Sequence, residues 1–197
     1  MADRTRIFVS GVGGQGSITS TLIIGEAAAA AGLNVVASEV HGMAQRGGIV
    51  ETTVLVGDVH GPMVGDGAAD VLLGFEPAEA LRFLRKASPD RTLVLMNRHP
   101  IIPIWVSLGK EEYPSVESIE ERVQARAKQV FSFDARELAS QAGTAKALGS
   151  VMLGALAGLG LLAIPDSVWL ETILSQVPRK YREANEKAFA AGLAITR

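Results

Sequence analysis

Residues 6–17, RIFVSGVGGQGS, decide the fold. Arg6–Ser10 has the length and apolar content of a short buried strand. The chain then turns through Gly11, Gly13 and Gly16, which satisfy the spacing GxGxxG. Ser17 to Ala31 is rich in small residues and reads as a helix, and Gly32 stands where a C-terminal capping glycine belongs. Asn34–Glu39 reads as a second strand. Strand, glycine turn, helix and strand in close succession predict a βαβ unit with a right-handed crossover.

Strand-like segments continue at Ile49–Val56, Asp70–Phe75, Thr92–Asn97 and Gln129–Asp134. Helical periodicity marks Glu76–Ala87 and Val116–Lys128 between them. The first predicts one face carrying Val50, Thr52, Val54 and Val56. Gly57–Gly67 is punctuated by glycine and Pro62, hence a loop. Asn97 to Ser115 holds Pro100, Pro103 and Pro114 and reads as an excursion. From Ala135 the chain is helical, with a helix over Glu137–Gln141, an apolar one within 147–164, a break at Pro165 and two further amphipathic helices. The prediction is a single α/β domain with a Rossmann-like open, mostly parallel sheet. Its core spans residues 1–134 and a helical C-terminal extension spans 135–197.

The composition narrows the function. Of the 197 residues 48% are hydrophobic and 20% charged, the balance of a packed protein. A formal net charge of −2, with no run of Lys and Arg, argues against nucleic acid as a partner. Cysteine is absent, which excludes disulfides and cysteine-held clusters or zinc on these 197 residues. His41, His60 and His99 have no metal-ligand spacing. The N-terminal apolar run is too short for a signal-peptide core, so a cytoplasmic location is expected. Ala147 to Ile164 carries no charge, yet four glycines and a serine dilute it. A buried core or interface helix is expected there rather than a membrane span. Gly154 and Gly158, spaced GxxxG, invite close backbone approach.

The glycine turn has a definite chemistry. Gly11, Gly13, Gly14 and Gly16 let backbone N–H groups reach an anion, and the helix N-terminus adds unpaired donors and its positive dipole end. Gln15 lies within the turn, and Ser17 could add a hydroxyl. The plain alternative is a tight corner whose glycines only permit packing. Glu39, at the end of the second strand, stands where dinucleotide folds place a ribose-binding carboxylate. It could equally be a strand-end carboxylate held by neighbouring backbone.

A second glycine stretch, SEVHGMAQRGGIV, begins at Ser38. Its loop over Val40–Gly48 should lie at the same sheet edge, so that the two loops frame one crevice. There Arg46 offers a donor fork suited to carboxylate or phosphate, or else pairs with Glu39 or Glu51. His41 could titrate near neutral pH, Met43 could line an apolar contact, and Gly47 would give the bend. No catalytic residue and no metal ligand set emerges. The chain alone reads as half of an active site.

GVGGQG followed by SEVHGMAQRGG, then DVLLGFEPAEALRFL, VMLGALAG and NEKAFAAG, resembles the gamma-type domain of the 2-oxoacid:ferredoxin oxidoreductases. The likeness spans nearly the whole chain and is closest to the indolepyruvate branch. It implies a larger partner subunit that carries thiamine diphosphate and iron–sulfur clusters, with ferredoxin reached through the complex. The implied reaction is coenzyme A-dependent oxidative decarboxylation of an aryl 2-oxoacid. It also implies that the turn of Gly11, Gly13, Gly14, Gln15 and Gly16 is a candidate for coenzyme A phosphates and Arg46 for an anion at the same crevice, beside the further cofactor-binding candidates Ser17, Glu39, His41 and Gly47. Thr144 and Gly149 depart from asparagines common in the family, and Ser17 from Val or Leu. Two other readings stay open: a free-standing NAD(P)- or FAD-binding oxidoreductase, and a non-catalytic structural subunit.

Overall fold

The first strand, β1 (Arg4–Val12), alternates its side chains between two cores, which is why nearly all of it is buried. The computed structural model describes residues 4–42 and 47–197. After the glycine turn come α1 (Ser17–Ala30), β2 (Val35–His41), β3 (Ile49–Gly57) and β4 (Val71–Gly74). Then follow α2 (Pro77–Arg82), β5 (Leu93–Asn97), the single-turn α3 (Ile104–Ser107), α4 (Val116–Gln124) and β6 (Gln129–Phe133). The C-terminal third holds α5 (Ala135–Ala142), α6 (Leu148–Gly158), α7 (Asp166–Ser175) and α8 (Arg182–Thr196).

The six strands form one open sheet in the order β2-β3-β1-β4-β5-β6. β1, β4, β5 and β6 pair in parallel, while β3 runs antiparallel to both β1 and β2. Five strands therefore point one way and β3 the other. β1 and β2 do run parallel, as a βαβ unit requires, but β3 sits between them, so they share no hydrogen bonds. The reason is local. β2 extends to His41, two residues past the expected strand, and returns directly as β3 in an antiparallel hairpin with His41 opposite Val50.

Both faces of the sheet are covered, as befits parallel strands. Ile7, Val9, Val54, Val56, Val71, Leu73 and Leu95 face α1 and the C-terminal helices. Phe8, Leu55, Leu72, Val94 and Met96 face α2 and α4. The C-terminal third folds back over the first of these faces: Met152, Leu153, Trp169 and Phe189 belong to the same core as β1.

α6 is shorter than the apolar run that announced it, and Gly160, with φ +64°, lies just past its end. No helix among the described residues is long and apolar enough to cross a membrane. Gly154 and Gly158 of α6 lie against α8. A Cβ on Gly154 would collide with the Phe189 carbonyl oxygen, and one on Gly158 with Thr196 Oγ1. From the other side, a Cβ on Gly192 would collide with the Val151 carbonyl oxygen. Ser150 Oγ donates to Asn185 Oδ1 at 2.7 Å between the same helices. Gly154 and Gly158 are thus engaged within the chain, which removes them as a surface for another subunit.

Candidate functional site: a cationic cleft at the glycine turn

β1 sends the chain to one side of itself, towards β2, while β4, β5 and β6 lie on the other. Such a switch point leaves a crevice beyond the carboxyl ends of the strands. Two side-chain amides build its floor. Gln15 Oε1 accepts from Val12 N–H at 2.8 Å, and Gln15 Nε2 donates to the Phe75 carbonyl at 2.9 Å. Asn97 Nδ2 donates to the same carbonyl at 2.9 Å, and Asn97 Oδ1 accepts from Ala135 N–H at 3.0 Å. One carbonyl, just past β4, thereby ties the ends of β1 and β5 together, and Asn97 is fully buried.

Above this floor opens a cleft of about 560 Å³ lined by Gly13, Gly14, Gln15, Gly16, Asn97, His99, Ile101, Arg136, Ala145, Lys146 and Leu148. Gly14 and Gly16 have φ of +103° and +87°, a backbone region costly for other L-residues. Gly16 occupies the N-cap of α1, where no side chain caps the helix. The first-turn N–H groups have no partner further back in the helix. Among the described residues no carboxylate lines the cleft, whereas Arg136 and Lys146 do. Neither cation enters an ion pair among the described residues. Arg136 Nη1 lies 3.1 Å from His99 Nε2. Because guanidinium only donates, Nε2 is the acceptor in this contact, and Nδ1 lies 3.8 Å from Asp134 Oδ2. Backbone donors, a helix N-terminus and two cations without ion-pair partners among the described residues make a receptor for an anion the size of a phosphate group or larger.

The two glycine stretches do meet. Gly13 N–H donates to the Gly48 carbonyl at 2.8 Å, and Gly47 N–H donates to the Gly13 carbonyl at 3.2 Å. Gly11 sits inside β1 opposite Val50, where a Cβ would press on Phe75 Cβ at 2.9 Å. Ser17 is buried at the start of α1, so its hydroxyl is turned inward. Glu39 is exposed and pairs with Thr52, with β3 between it and β1. Two strand spacings, roughly 10 Å, separate it from the glycine turn, and it does not line the cleft. That spacing removes the geometric support for a dinucleotide ribose contact. Arg46 and Met43 lie outside the described residues, as does the side chain of His41.

Sequence reasoning missed Asn97, His99, Arg136 and Lys146. Asn97 carried a signal, as the polar end of an otherwise apolar strand at the ligand-bearing edge. Arg136 and Lys146 carried none, because α5 and the turn at 145–147 reach the glycine loop only through tertiary packing.

The model of the pyruvate ferredoxin/flavodoxin oxidoreductase family matches residues 6–195. The chain is 41% identical to the indolepyruvate oxidoreductase subunit IorB of Methanothermobacter thermautotrophicus, over 94% of each chain. It is 42% identical to the subunit of that name from Pyrococcus horikoshii, over 95% of this chain and 93% of the other. Among solved structures, a keto/oxoacid ferredoxin oxidoreductase gamma subunit from Geobacter sulfurreducens superimposes with a TM-score of 0.68 at 24% identity, over 98% of both chains. A 2-oxoglutarate:ferredoxin oxidoreductase from Magnetococcus marinus, with 2-oxoglutarate, coenzyme A and succinyl-CoA bound, gives 0.72 at 20% identity. That match covers all of this chain but only 31% of the other, so the same fold forms about a third of a longer polypeptide there. The chain therefore belongs to the pyruvate ferredoxin/flavodoxin oxidoreductase family.

Proposed function

We propose that this chain is the smaller, cluster-free subunit of a cytoplasmic indolepyruvate:ferredoxin oxidoreductase. The observation that carries the substrate assignment is the identity of about 41% to IorB subunits over nearly the full length of both chains. In the proposed reaction an aryl 2-oxoacid loses carbon dioxide, its acyl group passes to coenzyme A, and the released electron pair goes to ferredoxin. The larger subunit would hold thiamine diphosphate, which would supply the electron sink for decarboxylation, and iron–sulfur clusters, which would accept the electrons.

The part of this chain is to bind and orient. Gly14 and Gly16 offer backbone amides to a coenzyme A phosphate at the α1 N-terminus, and Arg136 and Lys146 take the charge that remains. His99 holds Arg136 in register through Nε2. Gln15 and Asn97 fix the floor, each spending one amide hydrogen on the Phe75 carbonyl. A fixed anchor on the phosphate end would confine the thiol end of the same molecule near the partner's chemistry, where proximity raises rate.

The test is reconstitution. The chain and the neighbouring larger subunit are assayed separately and together with indolepyruvate, coenzyme A and a viologen dye. Dye reduction only in the mixture supports the reading. Full activity of either chain alone overturns it, and an assembled complex whose rate ignores coenzyme A leaves this chain a purely structural role.

A further inference from the structure

Five of the eleven large apolar side chains exposed among the described residues fall in one eight-residue stretch: Ile101, Ile102, Ile104, Trp105 and Leu108. Ile104 is 69% and Leu108 59% exposed, and the single turn α3 buries none of its residues. Scattered surface apolar residues are ordinary, but a contiguous group marks an interaction surface.

The stretch is also held in place. Glu76, buried at the end of β4, accepts from Ile101 N–H at 3.2 Å and from Tyr113 Oη at 2.5 Å, both on Oε1. Tyr113 Oη in turn accepts from Ala78 N–H at 3.2 Å. One carboxylate thus closes both roots of the excursion, residues 101 and 113. Within it, Lys110 Nζ lies 4.6 Å from the Trp105 ring centre and Lys110 N–H donates to the Trp105 carbonyl. An isolated helical turn has no stability of its own in water. Here clamped roots and Pro100 and Pro103 order it before any partner arrives, which lowers the entropy cost of association.

Resting on the subunit reading above, we infer that the apolar platform at residues 101–108 is the docking surface for the larger subunit of the same oxidoreductase. The position favours that occupant. Ile101, at the root of the platform, lines the anion cleft itself, so a chain seated on the platform closes over the mouth of the cleft that lacks reactive groups of its own. In the Magnetococcus marinus structure the same fold is 31% of a longer chain, so there it shares one polypeptide with further structure. Aromatic and branched aliphatic side chains clustered on a rigid support are also the composition of an interface centre.

The experiment is co-expression with an affinity-tagged larger subunit. In one variant Ile104→Asp and Trp105→Glu are combined, and in a control Met63→Asp alters another exposed apolar residue, 83% accessible and away from the platform. The double variant should co-purify at least tenfold less than wild type, with Met63→Asp unchanged. In parallel, a photo-crosslinking amino acid at position 105 should capture the larger subunit, and one at position 63 should not. Normal co-purification of the double variant, or capture at 105 only of a second copy of this chain, overturns the docking surface. Absence of any wild-type complex would instead sink the subunit reading on which it rests.

Discussion

At Gly14 and Gly16 an added side chain would meet nothing within 4 Å, whereas at Gly154, Gly158 and Gly192 it would strike the facing helix. The first pair lies at the mouth of a cleft and is glycine because its φ angles demand it. The second set lies between α6 and α8 and is glycine because two backbones need the space. Glycine spacing alone, GxGxxG or GxxxG, does not separate these roles. The surroundings do: Gly14 and Gly16 open onto the cleft, and Gly154, Gly158 and Gly192 close the chain on itself.

The contrast breaks most visibly at the crowded set. Gly192→Ala places a Cβ against the Val151 carbonyl and the Ala155 amide. Separating α6 from α8 to admit it should cost about 3 kcal/mol, lowering the melting temperature by roughly 6–12 °C for a domain of this size. Calorimetry measures it. A drop of less than 2 °C or so would mean that the helices slide apart freely.

Asn97→Ala is next. It leaves Ala135 N–H and His99 N–H without their acceptor and removes one of the two donors on the Phe75 carbonyl. The expected loss is about 2 kcal/mol in urea unfolding, and Gln15, still in place, keeps it from being larger. Gly14→Ala belongs to the open set and should behave differently. The strained φ costs roughly 1–2 kcal/mol, while the assembled enzyme loses coenzyme A affinity out of proportion to that small loss of stability.

The smallest effect concerns pH. Burial raises the Glu79 pKa above its ordinary value, against the opposing pull of Arg82. A carboxyl harder to ionise in the folded chain contributes stability fully present below its unfolded pKa. That stability is lost as pH rises through the folded value. Glu79→Gln should therefore abolish a slight decline in wild-type stability on raising the pH from acid through the upper carboxylate range. A parallel pair of curves would show that Glu79 does not differ from an exposed glutamate.

Much of this was legible in the chain. The strand, glycine turn and helix at 6–31 announce themselves because local backbone needs and apolar periodicity agree there. Strand order did not: β2 is a half-exposed edge strand and β3 a largely buried one, yet the side-chain pattern of neither says that β3 intervenes between β2 and β1. The partner of Gly154 was equally hidden, since a small-residue spacing states how close a neighbour comes and not which one. In the site, the glycine turn could be read from its conformational chemistry. Arg136 and Lys146 could not, because only the folding of α5 and the turn at 145–147 onto the sheet edge brings them there. The dinucleotide reading of Glu39 loses its geometric support for the same reason, because β3 stands between β2 and β1.

The most direct test of the anion cleft is the coenzyme A dependence of turnover in the assembled complex carrying both Arg136→Ala and Lys146→Ala. Removing two exposed cations from the cleft should raise the KM for coenzyme A at least tenfold, a loss of about 1.4 kcal/mol or more. Melting temperature and the KM for the 2-oxoacid should stay within error of wild type. An unchanged KM for coenzyme A, with the complex intact, would contradict the assignment of this cleft.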